Sequence, residues 1–214
     1  ELQAISKEFP FVEWGILHSS RRSGPRYPSF AWCQKLQMNS NGLVFSAHLE
    51  WDFLVQMASI AGVSFNSQRF HRIQLNILDR HSEFLFSIWP KIRHSLAGPE
   101  LIIQSASLSN DVKALAKEIS ANQRVSILFD ASAGRGILPS QWITPSTTLD
   151  FGLAGGLSPA NLGVELQKIS KSVGDQTIWI DMESGVRTSD GSSLDLSKVR
   201  ACMIYSSSYV EKEA

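Results

Sequence analysis

Cysteine is almost missing from this sequence: Cys33 and Cys202 are the two in 214 residues. So sparse a pair implies no disulfide framework and suits a reducing compartment. An excess of charge of one sign is missing too. Twenty Lys and Arg balance twenty Asp and Glu, so no overall field draws nucleic acid; Arg21, Arg22 and Arg26 are the local exception. No apolar run approaches the roughly 20 residues of a membrane helix, and no basic-then-apolar leader opens the chain. The five histidines show neither H-x-H nor H-E-x-x-H spacing, which removes the usual helical zinc signature. Neither G-x-G-x-x-G nor a Walker sequence occurs, which argues against an open doubly wound nucleotide-binding sheet. The expectation is a cytoplasmic protein with no metal, no organic cofactor, no nucleic-acid partner and no membrane. The sequence does not give the oligomeric state.

What is present is a repeated unit. Seven apolar, β-favouring runs are predicted as strands: Phe11–Leu17, Leu43–Leu49, Arg72–Ile77, Leu101–Ser105, Val125–Asp130, Asp150–Ala154 and Thr177–Asp181. Helical segments alternate with them: Pro28–Leu36, Trp51–Ile60, Phe84–Arg93, Asp111–Ile119, Pro159–Ile169 and Leu196–Met203. Strand starts recur about every 25 to 30 residues, the size of one βα unit. The runs read as continuous rather than alternating, as in a parallel sheet covered on both faces. With 43% hydrophobic residues the chain can bury a sizeable core, and nothing linker-like divides it apart from a modestly polar Ser206–Ala214 tail. One domain over residues 1–214 is expected. Glu1–Phe9 reads as an amphipathic helix ended by Pro10, with no strand before it. The seven runs are therefore counted as strands two to eight of a (β/α)8 TIM barrel whose first strand lies before Glu1.

The ends of three runs carry the chemistry. Gly155-Gly156 follows the sixth run, and glycine lets backbone N–H groups approach a phosphate with no Cβ in the way. Ser158-Pro159 reads as N-cap and first helical residue, which would set a helix N-terminus and its dipole beside that turn. Ser184-Gly185 follows the next strand, and barrels commonly bind phosphate after their last two strands. The plainer alternative is that the two glycines only permit a tight turn. Asp130 closes an apolar strand, where burial can raise a carboxylate pKa into a range useful for proton abstraction; it can equally cap the glycine-rich turn after it. Arg26 offers a planar fork for a carboxylate or stays solvated, and Arg21 and Arg22 read as solvated. His18 and His48 lie near strand ends, where either can donate a proton or be satisfied inside the core. Gln74, Asn76 and Gln104 can hydrogen-bond a substrate or fill space. The lysines fall on helices, loops or termini, which disfavours Schiff-base chemistry.

Taken together, Ile127-Leu128-Phe129-Asp130, Leu153-Ala154-Gly155-Gly156-Leu157-Ser158-Pro159-Ala160-Asn161 and Asp181-Met182-Glu183-Ser184-Gly185-Val186 resemble the phosphoribosylanthranilate isomerases of tryptophan biosynthesis. Arg26-Tyr27-Pro28-Ser29 and Ile73-Gln74-Leu75 add weaker matches. The resemblance implies an Amadori-type aldose–ketose isomerisation of a phosphoribosyl substrate. In it Asp130 is the general base, Arg26 and Asp181 contact substrate, and Gly155, Gly156, Ser184 and Gly185 hold the phosphate; an aspartate on the eighth strand, as Asp181 is, can instead order its neighbours by hydrogen bonds. The family's general acid is a cysteine at the end of strand one, in a Lys-Ile-Cys-Gly-like sequence that is not present here. Cys33 and Cys202 do not match it. The Gly134-Arg135-Gly136 turn is shorter than the family's usual loop, and the Glu13-Trp14 entry is atypical. Either the acid lies on a strand outside this sequence, or the lineage kept the phosphate site and changed or lost the reaction. The alternative reading is thus a non-catalytic or differently catalytic phosphate-ligand binder on the same barrel.

Overall fold

The computed structural model describes residues 1–59, 65–77, 81–130, 132, 134–142 and 144–210. Seven strands, β1 Trp14–His18, β2 Phe45–Glu50, β3 Arg72–Asn76, β4 Glu100–Ser105, β5 Val125–Asp130, β6 Phe151–Ala154 and β7 Trp179–Asp181, form one sheet in sequential order. Every neighbouring pair is parallel. Among the described residues no ladder joins β7 to β1. Seven helices accompany the strands: α1 Leu2–Glu8, α2 Phe30–Met38, α3 Trp51–Ser59, α4 Ser82–Ile92, α5 Asn110–Ser120, α6 Leu162–Val173 and α7 Leu196–Ser206. The predicted strands and helices thus all exist, with ends moved by a few residues. Ile60 of the third predicted helix and residues 211–214 of the polar tail lie outside the described residues.

The sheet's two faces do different work. Its outer face supplies Leu49, Ile73, Leu75, Leu101, Ile103 and Ile127, buried with Leu85, Ile92, Leu115, Ile119 and Leu166 of the helices in one core. Each such side chain contributes about 1.5–3 kcal/mol on full burial. Helix α5 shows the local logic. Val112, Leu115, Ala116 and Ile119 recur at helical spacing and are buried, and the Ser109 hydroxyl caps the helix by accepting from Val112 N at 3.2 Å, worth about 1 kcal/mol.

The inner face is polar. Ser46, His48 and Glu50 alternate along β2, Arg72, Gln74 and Asn76 along β3, and all six line the interior cavity. Its apolar part is small: Ile102, Leu128 and Ala154 packed by Trp179. Barrel interiors are usually filled by bulky branched residues. Here a buried-type ion pair replaces them low in the barrel. Arg72 bonds Glu13 at 2.5 Å and lies over the Trp179 ring at 4.6 Å. Gly15 faces His48 across the β1–β2 register, and a Cβ there would stand 2.8 Å from His48 Nε2. A larger residue at position 15 would therefore displace the imidazole.

One long connection, between β5 and β6, crosses the C-terminal end of the sheet. Trp142 anchors it by donating its indole N–H to Glu165 Oε2 on α6 at 2.7 Å, and Lys168 binds the other oxygen at 2.7 Å. Those two hydrogen bonds, Lys168's the larger, hold the Glu165 carboxyl below its usual range.

Candidate active site

The strands' C-terminal ends open into a cavity of about 2030 Å³ that reaches from Arg26 to Ser184 and down to Trp179. Register fixes which carboxylates meet there. Asp130 pairs with Ala154, and Ala154 with Asp181, so the two aspartates end strands next but one to each other, on the same face. Two strand spacings put their backbones about 10 Å apart, with only the small Ala154 side chain between them.

Asp130 is buried and fully engaged. Its Oδ1 accepts from Ser132 N at 3.0 Å and from the Ser132 hydroxyl at 2.6 Å; its Oδ2 accepts from Gly134 N at 2.6 Å and Gln104 Nε2 at 2.9 Å. The residue therefore does cap the turn after β5, and it does so facing the cavity.

Asp181 has the opposite surroundings. Its carboxyl is pushed up from the ordinary range, first by burial and then by repulsion from Glu183 and Asp130; His48 and, less strongly, Arg72 oppose the shift. Among the described residues it accepts no hydrogen bond.

Arg26 reaches across the mouth of the cavity to Glu183 Oε2 at 2.5 Å, and Arg187 lies 3.6 Å from the other oxygen of Glu183. The guanidinium at the cavity mouth thus already holds a carboxylate of the chain. Glu183 was legible only as part of its motif; its place two residues beyond Asp181, just after the end of β7, was the available signal. Arg22, expected to be solvated, bonds Tyr27 Oη at 2.5 Å and lies 3.4 Å from Glu50. The loop carrying these arginines is set by Asp52 of α3, whose Oδ2 accepts from the Ser19 hydroxyl, Ser20 N and Arg21 N, each at 2.7 Å. No sequence motif announced that role.

The two glycine turns are brought together. A Cβ on Gly185 would run into the Leu157 carbonyl, and one on Gly136 into the Ser184 hydroxyl. Gly156 has φ +62°, and a Cβ there would meet the backbone of the β5–β6 connection, 2.9 Å from Ile137 C. Residues 136–138 thus lie directly on the turn. The predicted helix start needs correction. Ser158 is not an N-cap and Pro159 is not helical: α6 begins at Leu162. Asn161 stands at the N-cap, but its side chain is turned back to the preceding turn, its Oδ1 accepting from Ser158 N at 2.9 Å while its Nδ2 donates to Gly156 O at 2.9 Å. The asparagine side chain closes the turn on itself, which delays the helix by one turn.

The histidines separate. His48 points inward, with Ser46 Oγ 3.0 Å from Nε2 and Gln74 Nε2 3.4 Å from Nδ1. His18, expected on the side where barrel sites form, lies outside the barrel among Phe53, Phe65 and Phe70. Strand alternation explains this, because Leu17, not His18, pairs with His48. Burial lowers the His18 pKa to about 4. Both thiols are buried away from strand ends, in α2 and α7, and burial pushes each up to about 11.

A parallel, sequentially ordered sheet of seven strands with helices around it, and with acidic groups and glycine turns at the strands' C-terminal ends, defines a TIM-barrel-like α/β fold. The chain belongs to the N-(5′-phosphoribosyl)anthranilate isomerase family, whose family model matches residues 90–203. Solved structures agree on the fold. TrpF from Jonesia denitrificans superposes with a TM-score of 0.61 at 16% identity, covering 96% of this chain and 91% of that one. Phosphoribosylanthranilate isomerase from Thermus thermophilus gives 0.55 at 15%, covering 97% and 93%. Monomers of the dimeric isomerase from Thermotoga maritima give 0.55 at 13%, covering 95% and 91%. Compared by sequence with curated proteins, the chain matches none.

Proposed function

We propose that this chain, folded as a single domain, isomerises N-(5′-phosphoribosyl)anthranilate to the corresponding 1-deoxyketose by an Amadori rearrangement, using side chains alone. The observation that carries this reading is the pair Asp130 and Asp181, facing one cavity beside the Gly155-Gly156 and Ser184-Gly185 turns. Asp130, held in place by four hydrogen bonds at the end of β5, is the base for the C2′ proton. All four of its acceptor positions are taken, so one donor must withdraw; of the three donor residues, all lining the cavity, Gln104 is the one that comes from a neighbouring strand rather than from the turn that Asp130 caps. Hydrogen bonds of this kind commonly rearrange when substrate binds. Arg26 receives the anthranilate carboxylate, and the turns receive the phosphate. The reaction is tested by turnover of N-(5′-phosphoribosyl)anthranilate, read as loss of its fluorescence with appearance of the ketose.

The binder reading has specific support as well: Arg26 is neutralised by Glu183, and residues 136–138 cover the glycine turn. Glu183→Gln separates the two readings at the carboxylate end. If Arg26 serves substrate, freeing it raises affinity for anthranilate up to about fivefold, the equivalent of the roughly 1 kcal/mol of an exposed ion pair. Titration calorimetry on the wild type, on Glu183→Gln and on the double variant with Arg26→Ala measures this. No gain in Glu183→Gln would remove Arg26 from the carboxylate subsite.

A further inference from the structure

We propose that Arg187 is a second anion-binding residue of this site. Arg26 and Arg187 together form a two-guanidinium seat for the ligand's carboxylate, and Glu183 sits in that seat as a built-in competitor. The reading above is needed only to name that carboxylate as the one on the anthranilate ring.

The seat shows in the way one carboxylate is shared. Arg26, on the loop after β1, holds Glu183 Oε2 at 2.5 Å. Arg187 follows the Ser184–Val186 turn, and its Nε stands 3.6 Å from Glu183 Oε1. That is too long for a hydrogen bond. Both atoms of the longer contact are buried, and among the described residues neither has a hydrogen-bonding partner. Buried charged groups left unbonded are costly. Glu183 is tied to the main chain just past β7 and reaches one guanidinium at bonding distance, not both. A carboxylate carried by a ligand has no such tether. It can settle between the two cations and accept from each.

The three side chains differ in what holds them. Arg187 Nη1 donates to Gly191 O at 3.0 Å, its backbone N–H donates to Ser184 O at 3.3 Å, and its carbonyl accepts from Lys198 Nζ at 2.6 Å. Its side chain is 15% exposed, against 35% for Glu183 and 44% for Arg26. Arg187 is thus fixed with its Nε toward Glu183, whereas Glu183 has a way out to water. All three line the cavity. Guanidinium edges match the two oxygens of a planar carboxylate, which is what Glu183 already presents to them. Two positive groups around one negative leave the seat attractive to an anion even while Glu183 occupies it. Binding is then an exchange of one carboxylate for another, and a neutral ligand cannot drive it.

The test compares anthranilate, its neutral amide anthranilamide and inorganic phosphate by titration calorimetry on the full chain. Glu183→Gln should strengthen anthranilate and leave anthranilamide unchanged; an equal gain for both overturns the competitor role. In the Glu183→Gln background, Arg187→Gln is expected to weaken anthranilate about tenfold and to leave anthranilamide and phosphate as they were. A residue that only braced the 188–194 loop would weaken anthranilate and anthranilamide alike. That result overturns the proposal, as does an unchanged anthranilate affinity. A loss confined to phosphate overturns it too, because it assigns Arg187 to the glycine turns.

Should Arg187→Gln not fold, Arg187→Lys decides. Lysine keeps a point charge and loses the planar edge, so part of the tenfold loss should appear, again for anthranilate alone. Anthranilate affinity equal to that of Glu183→Gln overturns the assignment. Turnover of N-(5′-phosphoribosyl)anthranilate by the wild type is measured separately. If turnover is present and the arginine pattern fails, this proposal falls by itself. If the pattern holds and turnover is absent, the isomerase reading falls by itself.

Discussion

Asp130→Asn is expected to lower kcat/KM on N-(5′-phosphoribosyl)anthranilate by about 10²- to 10⁴-fold, the usual contribution of a general base. The amide keeps the shape of the carboxylate and cannot take the C2′ proton. It also turns one acceptor into a donor, facing either Ser132 or the Gly134 N–H and Gln104 pair. The variant should therefore lose about 1–3 kcal/mol of stability as well, from a buried donor left unmatched. Urea unfolding measures that loss separately, and activity is compared where both proteins are folded. Binding of inorganic phosphate should survive, since the glycine turns do not depend on the Asp130 charge. A variant that is less stable but equally active would leave Asp130 as a turn cap alone.

The second large effect is at Gly156. Its φ of +62° suits glycine, and a side chain there runs into residues 137 and 138. Gly156→Val combines an unfavourable backbone region for a β-branched residue with a clash against main chain. It should cost about 3 kcal/mol or more, and weaken phosphate binding by at least about tenfold through displacement of the connection. Gly42, with φ +84° and nothing near its Cβ position, provides the comparison: Gly42→Val carries the backbone strain without the clash. Phosphate affinity equal to wild type in folded Gly156→Val would take the phosphate away from this turn.

Much of the scaffold was readable because each βα unit writes its own signals. Val125–Asp130 is a strand in both readings to the residue, and Leu196 opens the last helix where its apolar spacing begins. The polar barrel interior was less visible. Leu43–Leu49 reads as an apolar run, yet within the strand Phe45–Glu50 the alternate residues Ser46, His48 and Glu50 line the interior cavity; the period of two was present and the number of apolar residues masked it. His18 takes the buried one of its two readings, among aromatic rings, since one residue along a strand changes the face. The Asn161 closure of the Gly156 turn outcompeted a plausible Ser-Pro helix start. The Arg26–Glu183 pair joins residues 157 positions apart, and no local pattern specifies such a contact. Asp130 and Asp181 were each legible as strand-end acids. Their contrasting surroundings were not, because these depend on the β5–β6 connection and on Glu183 folding over the cavity.

Proton abstraction at C2′ is tested most directly by incubating the wild-type chain with C2′-deuterated N-(5′-phosphoribosyl)anthranilate in ordinary water and following both label and product. The expected result is ketose formation with matching loss of deuterium from C2′, recovered at C1′ of the ketose or in solvent, and loss of both in Asp130→Asn. Tight binding of the phosphoribosyl ligand with the deuterium retained at C2′ and no ketose formed would contradict it.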